Sequence, residues 1–132
     1  MNNYVDLARK ALTKTSDDLA LKVLDLLVSS PAGYSRVRLI IKCYGAKQMV
    51  ANIANSTQDR AIREAIKRIR NLGVVIVSIP TEGGYRLATS KDTALVAHYV
   101  KQQYQAARSR MKTARKVMKA YGLRDVVPMD LS

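Results

Sequence analysis

The chain is expected to be mainly α-helical with a small β-hairpin, an α+β fold that ends in a long C-terminal helix. Three observations lead there. Apolar residues recur at three- and four-residue steps through most of the sequence, as amphipathic helices require. One short β-branched run, Val74 to Ile79, is followed by a turn at Pro80-Thr81-Glu82-Gly83-Gly84 and a second short run, Tyr85 to Ala88. Finally, the stretch between the cap Thr89-Ser90 and the stop Gly122 is long enough for a helix of roughly 45 Å.

The elements follow in order. Residues 3 to 13 suit a short helix with Val5, Ala8 and Leu12 on one side. Ser16 is read as the next N-cap, with Asp17 and Asp18 as helix-start charge. Leu19, Ala20, Val23, Leu24, Leu26, Leu27 and Val28 then give a broad buried face, and Ser29-Ser30-Pro31-Ala32-Gly33 breaks it. Residues 34 to 44 suit either a buried strand over Val37 to Ile41 or a helix with Val37, Ile40, Ile41 and Tyr44 inward; the helical neighbours favour the helix. Residues 46 to 54 read as a short helix with Met49, Val50 and Ile53 inward.

Residues 56 to 73 form the clearest helix. Ser56 is the N-cap, and Asp59 stands where a reciprocal acidic cap belongs. Ile62, Ala65, Ile66, Ile69 and Leu72 make one apolar stripe, and Gly73 is placed to stop the helix in a left-handed conformation. The opposite side carries Arg60, Arg63, Lys67, Arg68 and Arg70 against the acids Asp59 and Glu64. A helix that is merely solvated mixes its signs more evenly. A short helix, a turn and this polar-faced helix make a helix-turn-helix, and the hairpin that follows directly has the place of a wing. Gly83-Gly84 is expected to supply the positive φ of the tight loop. No Lys-Ser/Thr or helix start follows it, so it is not a phosphate loop.

Charge sharpens the reading. Net charge is +13 over 132 residues, and it is concentrated. Residues 31–73 hold nine bases and two acids, and residues 91–121 hold eight bases and one acid, so each block is +7; residues 1–30 and 74–90 are neutral and the last eleven residues are −1. Two basic blocks between neutral segments point to surfaces for a polyanion, nucleic acid before an anionic membrane. The organisation expected is residues 1–90 as a DNA-binding domain with an N-terminal helix, 91–121 as a long basic helix, and 122–132 as a loose tail.

In the last helix, Leu95, Val96, Tyr99 and Val100 begin an apolar stripe suited to packing on the domain. Beyond it the stripe thins to Ala107, Met111, Ala114, Met118 and Tyr121, and Gln103 and Arg110 interrupt a heptad. Arg108, Arg110, Lys112, Arg115, Lys116 and Lys119 crowd its second half. A dimer interface, an arm along the DNA backbone and a plain extension are all compatible with this pattern. The tail, apolar with two acids, suits a frayed end or a hook for a protein partner.

The segment from Asp59 to Gly73, the Val/Ile strand, and Gly83-Gly84-Tyr85-Arg86-Leu87-Ala88-Thr89-Ser90 together resemble winged helix-turn-helix DNA-binding domains. The similarity is to small phage- and prophage-encoded bacterial proteins and covers roughly residues 46 to 121. Residues 29 to 45 depart from it, being longer than the usual link between the first two helices. The resemblance implies duplex DNA binding in transcription regulation, replication or packaging, with the 58–72 helix in the major groove. On that geometry Thr57, Gln58, Arg60 and Arg63 are the base-reading candidates. Arginine suits guanine and glutamine suits adenine. Lys67, Arg68 and Lys47 are phosphate candidates. Arg86 would reach the backbone from the wing, and Arg70 is open to pairing with an acid of its own chain.

Other classes fit less well. The one histidine, His98, lies in a helix, the one cysteine, Cys43, lies in an apolar run, and no spaced carboxylates accompany them. No triad or metal site is expected, nor an enzyme, nor a cofactor. No apolar run reaches the length of a membrane span, and no signal segment opens the chain, so the bacterial host cytoplasm or nucleoid is the expected location. The alternatives from other classes are a protein-interaction module that sets its basic helix against an acidic partner, and RNA binding. Aromatic platforms for unstacked bases are not evident.

Overall fold

The computed structural model describes residues 3–45, 56–80 and 83–123. Among these the order is α1 (Asn3–Lys14), α2 (Asp18–Ser29), α3 (Arg36–Tyr44), α4 (Thr57–Asn71), β1 (Ile76–Ile79), β2 (Gly84–Leu87) and α5 (Thr93–Ala120), the last preceded by a 3₁₀ turn at Ser90–Asp92. The protein is mainly helical with a small two-stranded antiparallel sheet. It divides into two compact units, Met1–Lys91 and Asp92–Ser132. The helix expected over 46–54, with Lys47, and the tail from 124 onward lie outside the described residues.

The core of the first unit is aliphatic. Val5, Ala8 and Leu12 of α1, Ala20, Val23, Leu24 and Leu27 of α2, Leu39 and Ile40 of α3, and Ile62, Ala65, Ile66 and Ile69 of α4 are buried, together with Val74 and Ile76. Tyr34 and Tyr85 pack partly against them. α2 is central, touching α1, α3, α4 and β2. At roughly 1.5–3 kcal/mol for each large aliphatic side chain buried, the α4 stripe alone supplies several kcal/mol, and Ile69→Ala would cost about 2–5 kcal/mol.

The caps refine the expected boundaries. Ser16 is not the N-cap of α2. It takes φ +57°, the left-handed region, and ends α1, while the Asp17 side chain caps α2 by accepting from the Ala20 N–H at 3.2 Å. Ser56 caps α4 as expected, accepting from the Asp59 N–H at 3.1 Å. Gly73 closes α4 with φ +95° and donates to the Arg70 carbonyl. Thr89-Ser90 leads into the 3₁₀ turn, and α5 begins at Thr93.

Residues 36–44 are helical, with Ser35 as N-cap. The inward face is rotated from the expected one: Leu39 and Ile40 are buried, Cys43 is half-buried, and Tyr44 is exposed. Arg36 shares this face by its i, i+3, i+4, i+7 spacing. A hydrophobic count excludes that cation, which is why the face is misjudged from apolar residues alone.

The hairpin pairs Ile76 with Leu87 and Ile79 with Gly84. Tyr34 adds an isolated antiparallel bridge to Tyr85, exchanging both backbone hydrogen bonds at 2.9 Å. The two turn glycines therefore differ. Gly83 takes φ +63°, but Gly84 does not have positive φ. It is required because a Cβ there would collide with the Tyr34 carbonyl oxygen. The second unit is described by itself. α5 has 28 residues and none is buried, including the apolar stripe at its start. No helix of the described residues is long and apolar enough to cross a membrane.

Candidate nucleic-acid interface

α4 presents its polar residues on three sides, and the sides are used differently. Toward α3 lies Asp59, whose side chain is only 3% exposed. Arg36 grips it with two parallel bonds, Nε donating to Oδ1 at 2.9 Å and Nη2 to Oδ2 at 2.5 Å. Arg63, one turn along, brings its Nε to 3.3 Å from the same Oδ2. The Asp59 hydrogen bond is the main cause of an upward shift in the Arg36 pKa, opposed by burial. The acid expected as a reciprocal cap at the start of its own helix is thus a buried junction between two helices.

The opposite flank of α4 is tied to the N-cap of α2. Arg68 donates from Nε and Nη2 to the Asp17 carboxylate at 2.6 and 3.1 Å. That hydrogen bond is the largest influence on Asp17 and holds its carboxyl below the usual value, against the opposing effect of burial. Arg70 donates to the Ile76 carbonyl at 3.1 and 2.7 Å, so its partner is the backbone of β1 and not an acid.

The outward side carries Thr57, Arg60, Glu64, Lys67 and Asn71, all exposed. The Arg60 and Lys67 side chains have no hydrogen-bond or ion-pair partner among the described residues. Gln58 does not join them; it is half-buried and falls in the stripe of Ile62 and Ala65. Arg86, on β2, is half-buried and donates from Nη1 to the Leu87 carbonyl at 3.4 Å. Of the expected site residues, the structure brings Thr57, Arg60 and Lys67 onto one face. It sets Arg63 on the α3 side and Arg68 on the α2 side.

α5 carries its own cations. Lys101, Arg108, Lys112, Arg115 and Lys119 follow at steps of seven, four, three and four residues, which places them on one face, with Lys116 at its edge and Arg110 on the far side. All are exposed, no Asp or Glu occurs between Thr93 and Ala120, and none of these cations has a partner among the described residues. Sequence reasoning missed Lys101 and Asn71. It also missed Arg38, whose guanidinium lies 5.3 Å from the Tyr34 ring centroid, and Arg36. The Ser35 cap and the spacing of Arg36 to Leu39, Ile40 and Cys43 were the available signals for Arg36.

Among the described residues no group of three His, Cys, Asp or Glu side chains is placed to hold a metal ion. Cys43 is a free thiol whose pKa is raised by burial. No protein-family model matches the chain, and no curated protein or solved structure is detectably similar to it.

Proposed function

We propose that this chain is a winged-helix protein that binds duplex DNA, with α4 entering the major groove. The observation that carries the reading is the outward side of α4: Thr57, Arg60, Lys67 and Asn71 stand free beside one acid, Glu64, on a helix whose α3, α2 and core-facing sides are occupied. The order of elements supports it. α2, the Tyr34 bridge, α3, α4, β1 and β2 follow one another in the order first helix, short first strand, second helix, polar-faced helix and wing. α3 takes the place of the second helix, which accounts for the long stretch between α2 and residue 46.

Roles follow from the placement. Arg60 and Thr57, near the N-terminal end of α4, read base edges, Arg60 by a two-point contact with guanine. Lys67 and the α5 cations meet phosphates. The setting that suits the proposal is a phage- or prophage-encoded factor of transcription or replication. The test is enrichment from random duplex DNA followed by binding across a salt series. With about six to eight phosphates neutralised, the log–log slope should lie near −5 to −7. A recovered motif with two-fold symmetry identifies a dimeric regulator; salt-dependent binding without a motif identifies a replication or architectural role. A protein that ignores duplex DNA at low salt sinks the reading.

A further inference from the structure

The Asp59 junction holds more cation than a clamp between α3 and α4 needs. One buried carboxylate is satisfied by the two-point grip of Arg36, and that pair is neutral. Arg63 shares the same oxygen, so two guanidinium groups converge on one Oδ2. Neither arginine is sealed in: the Arg36 and Arg63 side chains are 30% and 44% exposed. Arg36 uses Nε and one N–H of Nη2 on Asp59, so three of the five N–H bonds of a guanidinium are left over. Its stem passes beside Gly83, where a Cβ would stand 3.2 Å from Arg36 Cδ. The guanidinium therefore sits where the first turns of α3 and α4 meet the hairpin turn.

We propose that Arg36 and Arg63, held by Asp59, form a binding site for one phosphate of the duplex backbone. Asp59 acts as a positioning residue: it fixes the plane of the Arg36 fork so that the remaining edge is presented without loss of side-chain freedom on binding. The phosphate relieves the repulsion between the two guanidinium groups. This rests on the DNA-binding reading above, and it moves Arg63 from the base-reading set to the backbone set.

The test replaces the cluster as a unit. Arg36→Met with Asp59→Leu and Arg63→Gln removes both guanidinium groups of the site and exchanges the ion pair for apolar side chains of similar size, a change that proteins often tolerate. The expected result is a folded variant whose log–log salt slope on a short duplex is shallower by about 0.9, one phosphate contact. A folded variant with the slope of the unmodified chain overturns the site and leaves the DNA reading standing. Absence of salt-dependent binding by the unmodified chain overturns both. Should the variant not fold, the unmodified chain decides: NMR signals of the Arg36 and Arg63 Nε–H groups must both move on addition of the duplex, and signals that stay in place overturn the proposal.

Discussion

The two basic blocks carry the same net charge, +7 over residues 31–73 and +7 over 91–121, and spend it differently. In the first, Arg36 and Arg63 are set on Asp59, Arg68 on Asp17 and Arg70 on the Ile76 carbonyl. Most of its arginines hold helices and strand together, and α4 is left with Arg60 and Lys67 facing out. In the second, seven cations from Lys101 to Lys119 have no acid on their helix and no partner among the described residues. Net charge thus measures attraction to a polyanion at long range, but not how many cations are free to meet it. The first block trades charge for a fixed shape, which suits the base reading proposed for α4. The second keeps its charge in solvent, which suits the backbone contacts proposed for α5.

The largest effect should come from breaking the first block's internal use of charge. Arg36→Ala removes the two-point grip on the buried Asp59 carboxylate, and should cost about 3 kcal/mol of folding stability by urea unfolding. A loss near zero would mean that the junction holds nothing together. The mirror experiment neutralises the second block. Glutamine at Lys101, Arg108, Lys112, Arg115 and Lys119 together should leave the first unit's unfolding midpoint where it was. It should flatten the salt slope of duplex binding by about 4.5, since each of the five lost phosphate contacts removes about 0.9. An unchanged slope would make α5 a plain extension or an interface for a second copy.

That contrast between committed and free cations was only half visible beforehand. Local features were legible: the Val5, Ala8 and Leu12 side of α1, the Ser56 cap, the α4 stripe and the Gly73 stop all follow from spacing within a few residues, and the structure has them. The hairpin was legible to within two residues, because β-branched runs around a Gly-Gly turn have few other uses. What spacing cannot carry is pairing across the chain. Arg36 and Asp59 are 23 positions apart, and Arg68 and Asp17 are 51 apart. Those pairs exist because α2, α3 and α4 pack around one aliphatic core, and only that packing decides which arginines of α4 face inward. Gly84 makes the same point. Its need comes from the Tyr34 carbonyl, brought beside it by the third backbone pairing, and not from the turn it belongs to.

A third measurement sharpens the comparison within α4. Arg60→Ala removes a side chain that does no internal work, so folding stability should hold. Affinity for the enriched site should fall by about 1–3 kcal/mol, with relaxed preference at one base position. A loss of equal size on unrelated duplexes would instead assign Arg60 to the backbone.

The smallest effect is expected at Arg68, and it tests the boundary between the two uses of charge. Arg68 is 45% exposed and its partner Asp17 is 19% exposed, so solvent screens the pair and its contribution should be about 0.5 kcal/mol. The folded Asp17 carboxyl titrates below its ordinary value of 3.8, chiefly through the Arg68 hydrogen bond. Its stabilisation is therefore complete above the unfolded value and is lost as pH falls through the lower, folded one. Arg68→Gln should cost that half kilocalorie or so near neutral pH, and the gap from the unmodified chain should close as pH falls through the lowered, folded Asp17 value. The same variant should keep its salt slope on duplex DNA, because the guanidinium is already taken by Asp17. A slope shallower by about 0.9 would show that a phosphate displaces Asp17 on binding, and would return Arg68 to the backbone contacts that its place on a basic helix first suggests.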